Sequence, residues 1–142
     1  MAVIESGVIF AGIPLVKVFY YNDKKADSIL TAGLLEAIQS FANEIFGDET
    51  ESFKMKKYCI YLHKMDVVEK NDNLLIYAIC DSSDHPKSIR QCMSEIAKRF
   101  AQQYPNLDTS SLDTYKPFQE TITKCYGDLR YRPEDRLRKV LF

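Results

Sequence analysis

DSILTAGLLEAIQSFANEIFG, residues 27–47, is the stretch that decides the fold. Leu30, Leu34, Ala37, Ile38, Phe41 and Ile45 recur at spacings of three and four, the period of an amphipathic helix. Asp27 or Ser28 supplies an oxygen for the orphan amides of the first turn, and Gly47 permits a left-handed stop. Everything before this helix reads as strand, and everything after it as strands followed by helices.

On the N-terminal side, Val3 to Phe10 predicts a strand, Ala11-Gly12-Ile13-Pro14 a turn, and Leu15 to Tyr21 a second strand rich in β-branched and aromatic residues. So short a connection implies an antiparallel hairpin. On the C-terminal side, acidic residues 48–51 read as a loop. Phe53-Lys54-Met55-Lys56 alternates apolar and basic, as a half-exposed strand does. Residues 58–63 form a fourth strand, and polar residues 69–73 a hairpin loop. Leu74 to Cys80 is apolar at every position, which requires cover on both faces of the sheet.

Residues 82–86 carry capping side chains and a proline, the chemistry of a helix start, and Ile89, Cys92, Met93, Ile96, Ala97 and Phe100 follow at helical spacing. Pro105 closes that helix. A third begins near Ser110 or Ser111, with Leu112, Tyr115, Phe118, Ile122, Cys125 and Tyr126 as its stripe and Pro117 as a kink or a late start. The order is β-β-α-β-β-β-α-α. It is an α+β fold, with a five-stranded, mostly antiparallel sheet, one helix on one face and two on the other. Residues 1–129 make the domain; residues 130–142 are a basic tail, read as a short docked helix or a free arm.

The chain of 142 residues is 46% hydrophobic and 27% charged, as a single globular domain should be. A net charge of −1 argues against a dedicated nucleic-acid binder. No apolar run approaches the ~20 residues of a membrane span. MAVIESGVIF has no basic leader region and carries Glu5 within its apolar run, so a signal peptide is not expected. Cys59, Cys80, Cys92 and Cys125 lie far apart on apolar stretches, which points to reduced thiols and a cytoplasmic setting.

Three features together resemble the longin fold: the turn Gly12-Ile13-Pro14-Leu15, the helix at residues 27–47, and the apolar strand LLIYAICD that precedes the second helix. Longin domains occur in SNAREs, in adaptor-coat subunits, and in tethering and GTPase-exchange complexes. The resemblance covers residues 3–104, with the third helix completing it. It implies a binding protein, a subunit in small-GTPase regulation or vesicle tethering, which pairs with another longin or roadblock domain as a homo- or heterodimer. A SNARE-like or coat-adaptor-like module that binds cargo peptides is the alternative.

No GxxxxGK[ST] or GxGxxG run is present to cradle phosphates, so the chain is not expected to be a GTPase, and no cofactor is expected. His63 reads as strand packing. His85 beside Asp81 and Asp84 is a helix-capping loop; the rival reading is a metal site of a small enzyme. No catalytic residue and no metal ligand is assigned. Thr31, Ala32 and Gly33 form a small-residue patch, made either for close packing on the domain's own sheet or for the approach of a second chain. Phe53, Lys54, Met55 and Lys56 read as a lysine-protected edge or a pairing edge. The tail cations Arg130, Arg132, Arg136, Arg138 and Lys139 are solvated, meet an acidic partner, or touch an anionic membrane surface.

Overall fold

The computed structural model describes residues 2–21, 28–67, 72–82 and 85–131. Five strands, β1 (Val3–Phe10), β2 (Ile13–Phe19), β3 (Ser52–Lys54), β4 (Cys59–Val67) and β5 (Asp72–Cys80), form one sheet in the order β2-β1-β5-β4-β3. Every neighbouring pair is antiparallel. Three α-helices follow the expected chain order: α1 (Ser28–Phe46), α2 (Pro86–Gln103) and α3 (Gln119–Tyr126).

The first hairpin turns more tightly than the sequence implies. Ala11 (φ 51°) and Gly12 (φ 77°) both adopt left-handed backbone, and Phe10 pairs directly with Ile13. This is the two-residue turn whose twist matches that of the flanking strands. The expected four-residue turn therefore shrinks to two, and Pro14 falls inside β2. That strand is an edge of the sheet, where a residue without an amide proton is tolerated. Gly7 in β1 leaves room for its neighbours: a Cβ there would lie 2.7 Å from the Val16 carbonyl oxygen and 2.8 Å from Tyr77 Cε1.

β5 lies at the centre of the sheet, with Leu74, Leu75, Ile76, Tyr77, Ala78 and Cys80 all buried, as its unbroken apolar run requires. On one face, Val8, Ile76 and Tyr61 pack with Ile89, Met93, Ile96 and Phe100 of α2 and with Ile122 and Tyr126 of α3. The opposite face carries Ile9, Ile60, Leu62, Leu75 and Tyr77, covered by Ala32 and Leu35 of α1. One helix thus covers one face and two cover the other.

The third helix is less regular than expected. Pro117 cannot supply the amide that an α-helix through this point needs, so Leu112–Phe118 is a 3₁₀ stretch and α3 starts only at Gln119. Leu112 is exposed, and the buried stripe begins at Tyr115. α3 is pinned to the sheet by polar contacts. The Ser6 and Tyr126 hydroxyls lie 2.7 Å apart, Tyr20 Oη lies 2.8 Å from Thr123 Oγ1, and Gln119 Nε2 donates to the Lys17 carbonyl at 2.8 Å. α2 begins with Pro86 at its first position. His85 precedes it without a side-chain capping bond, so it does not cap the helix chemically.

Candidate interaction surface on α1

The apolar stripe that marks α1 in the sequence faces away from the sheet. Leu30, Leu34, Phe41 and Ile45 are 74%, 54%, 61% and 62% exposed, and Ala37 between them is exposed as well. At 3.6 residues per turn these five positions fall within an arc of about 80° and run about 22 Å along the axis. The face that does meet the sheet is on the far side of the helix, at Ala32, Leu35 and Gln39, with Ile38 and Ala42 at its margin. α1 is therefore apolar on two opposite faces, and among the described residues the sheet packs against one of them.

The inner face is fixed by polar contacts as well as packing. The buried Gln39 amide grips the loop after the helix, donating from Nε2 to the Thr50 carbonyl at 2.7 Å and accepting from the Thr50 amide at 3.0 Å. Gly47 (φ 62°) closes the helix, its amide bonding to the Asn43 carbonyl at 3.0 Å. These contacts hold residues 47–51 against the helix end. They build a shallow groove floored by Ala37, Ile38, Phe41, Ala42 and Phe46 and rimmed by Asp48 and Glu49. The Phe41 and Phe46 rings meet edge to face, with centroids 6.2 Å apart.

The charge on α1 itself has one sign. α1 contains Glu36 and Glu44 and no lysine or arginine, and Asp48, Glu49 and Glu51 follow it. Glu49 and Glu51 lie 3.7 and 3.6 Å from the side-chain nitrogens of Lys64 and Arg90. β3 is the other edge of the sheet, with Lys54, Met55, Lys56 and Lys57 exposed and Phe53 half-buried against the α1 side of the core.

The small-residue patch does not act as a unit. Ala32 is fully buried on the sheet-facing side of α1, so its place as a surface contact is corrected to the core. Thr31 is half-buried and Gly33 exposed. A Cβ on Gly33 would meet nothing within 4 Å, so this glycine does not serve close packing on the domain's own sheet. Phe53, Lys54, Met55 and Lys56 lie on β3 or just beyond it. Arg130 is not a free tail residue. Its guanidinium donates to the Gly127 carbonyl at 2.9 Å and lies 4.8 Å from the Tyr131 ring centre and 5.7 Å from that of Tyr20. Arg132, Arg136, Arg138 and Lys139 are outside the described residues.

Of the groups weighed for metal or acid-base chemistry, Asp81 accepts a 2.7 Å hydrogen bond from the Ala2 amide. Asp84 is outside the described residues, and among those described no three metal-binding side chains cluster. His63 is half-buried on β4, and burial lowers its pKa from the ordinary imidazole value. Glu5 and Tyr77 are bonded to each other inside the core rather than in a cleft. No helix among the described residues is long and apolar enough to cross a membrane.

The outer face of α1 escaped the sequence analysis because one apolar stripe on a surface helix normally marks its buried side. A signal was present nonetheless. Ile29, Leu35, Ala42 and Phe46 lie off the stripe, which leaves the helix apolar nearly all round. No protein-family model and no curated protein sequence matches the chain.

Proposed function

We propose that this chain is a non-catalytic interaction domain that works through the outer face of α1. One observation carries the reading: a helix already packed through Ala32 and Leu35 presents a second row, Leu30, Leu34, Phe41 and Ile45, to water. Those four side chains expose on the order of 500 Å² of apolar surface, a patch of the size that marks a binding site. The resemblance to longin domains supplies the biological setting. The partner is then another longin or roadblock domain, and the assembly serves small-GTPase regulation or vesicle tethering. That setting is an argument from likeness of fold, which constrains function less than the surface does.

Affinity capture from cell extract tests the setting, run once with GDP and once with a non-hydrolysable GTP analogue. Retention of a small GTPase under one condition and not the other supports an effector or regulator. Retention of a longin or roadblock chain regardless of nucleotide supports a scaffold. The surface is tested in the same experiment with Gly33→Arg and Phe41→Glu, both exposed, which leave the fold intact and abolish capture. If both variants retain the same partners, α1 is not the binding surface.

A further inference from the structure

We propose that the occupant of this face is a second copy of the chain, its α1 laid antiparallel across the first with Ala37 at the crossing. The inference rests on the reading of the outer α1 face as an interface and names its partner.

The order of sizes along the stripe is the first argument. Leu30, Leu34, Ala37, Phe41 and Ile45 run large, large, small, large, large, nearly symmetric about Ala37. A two-fold interface brings the same patch of each protomer together, so it must be complementary to itself. Antiparallel pairing sets Leu30 against Ile45 of the other copy and Leu34 against Phe41. Ala37 meets Ala37 where the helices are closest, and the open space beside Gly33 permits that approach.

Charge is the second argument. α1 has no basic residue in its last turn, yet it carries Glu44 there, beside its own partly negative carbonyl end. An antiparallel second copy brings that carboxylate to the partly positive amide end of the other helix. The two Glu44 side chains then lie about 20 Å apart along the axes, beyond the ~8–10 Å over which charges act in physiological salt. A parallel pair would place them side by side.

Area and the sheet edge point the same way. The stripe exposes on the order of 500 Å², so a two-fold pair through it buries roughly 1,000 Å² in total, the lower bound for a specific interface, with Ile29 and Phe46 left off the contact. The alternative self-pairing, β3 against β3, joins strands of three residues and sets Lys54, Lys56 and Lys57 near their own copies. The helix, not the strand, carries this contact.

The test is the mass of the full chain by light scattering between 1 and 100 µM (roughly the range that resolves micromolar dimers), with cross-linking by a short bismaleimide. The expected result is a dimer. Phe41→Glu raises its dissociation constant about 30-fold or more, as loss of a central aromatic anchor does, while its circular dichroism stays that of the parent. Ala37→Cys cross-links to itself, and a mixture of Leu30→Cys and Ile45→Cys chains cross-links more than either alone; the parent chain is the control for native thiols. Self-cross-linking of Leu30→Cys, or a dimer insensitive to Phe41→Glu, overturns the antiparallel arrangement. A monomer throughout overturns the second copy. If that monomer dimerises once residues 132–142 are removed, the tail holds the face instead. A monomer that binds a different longin or roadblock domain, with dependence on Phe41, refutes this proposal and leaves the interaction reading standing. A monomer that binds neither refutes both.

Discussion

The Tyr77 hydroxyl donates a 2.5 Å hydrogen bond to the Glu5 carboxylate, and both side chains are buried. On the paired strands Gly7 lies opposite Tyr77 and Glu5 opposite Ile79, two residues further along, so the phenol reaches diagonally to the carboxylate. Burial raises the Glu5 pKa above the ordinary carboxylate value, while the Tyr77 hydrogen bond and the charge of Lys17 pull it back down. A carboxyl whose folded pKa exceeds its unfolded one binds its proton more tightly when folded. Its effect is most favourable below the unfolded pKa and declines as pH rises through the window up to the raised value. Glu5→Gln keeps an acceptor for Tyr77 and removes the ionisation. Urea unfolding at several pH values should therefore show the variant gaining on the parent as pH rises from about 4 to 7. A constant difference across that range would mean that Glu5 titrates normally.

Gly7 and Gly33 answer opposite questions, and alanine separates them. At Gly7 the new methyl would press on the Val16 carbonyl oxygen, a backbone atom that cannot swing aside. Gly7→Ala should cost about 1–3 kcal/mol, as overpacking does. At Gly33 nothing lies within 4 Å, and the residue sits inside a helix. There alanine should stabilise the fold by about 0.5–1 kcal/mol through helix propensity alone. Thermal melts of the two variants check both signs.

The thiols offer a third check. Burial raises the pKa of Cys80, and also those of Cys92 and Cys125, which lie close enough for Cys92 Sγ to donate to the Cys125 carbonyl at 3.1 Å. Cys59 and Cys80 face each other as a cross-strand pair in β4 and β5, both buried. An aromatic disulfide reagent at pH 8 should label the native protein slowly and all four cysteines rapidly once denaturant is added. Fast stoichiometric labelling of the native chain would contradict the packing around α2 and α3.

Element order was legible because each element is announced by a local signal. The alternation of Phe53 to Lys56, the unbroken run of Leu74 to Cys80 and the proline at position 86 each fix one element without reference to the others. What escaped was set by tertiary geometry. The left-handed Ala11 has no sequence mark of its own, since alanine seldom adopts that backbone, and so the hairpin read as longer than it is. The orientation of α1 escaped for a related reason. A helix with apolar residues on two faces can be docked by either, and the choice depends on which face suits Ile9, Ile60, Leu75 and Tyr77 on the sheet. Ala32 and Leu35 with Gln39 fit there, because Gln39 also satisfies the backbone of Thr50.

Leu34 and Leu35 are adjacent and chemically identical, and the fold gives them opposite tasks. Leu35 is fully buried against the sheet, whereas Leu34 is more than half exposed on the outer row. Leu35→Ala should cost about 2–5 kcal/mol, the range for deleting a buried leucine and leaving a cavity. Leu34→Ala should fall within about 0.5 kcal/mol of the parent in the unfolding of the isolated chain while weakening assembly. Chemical denaturation at low protein concentration, where association does not add to stability, measures the first pair of numbers. Light scattering at high concentration measures the second effect. The two variants thus separate the role of α1 in folding from its role in binding. Equal losses of stability for both would mean that the outer row packs within the domain, and the interaction surface would have to be sought elsewhere.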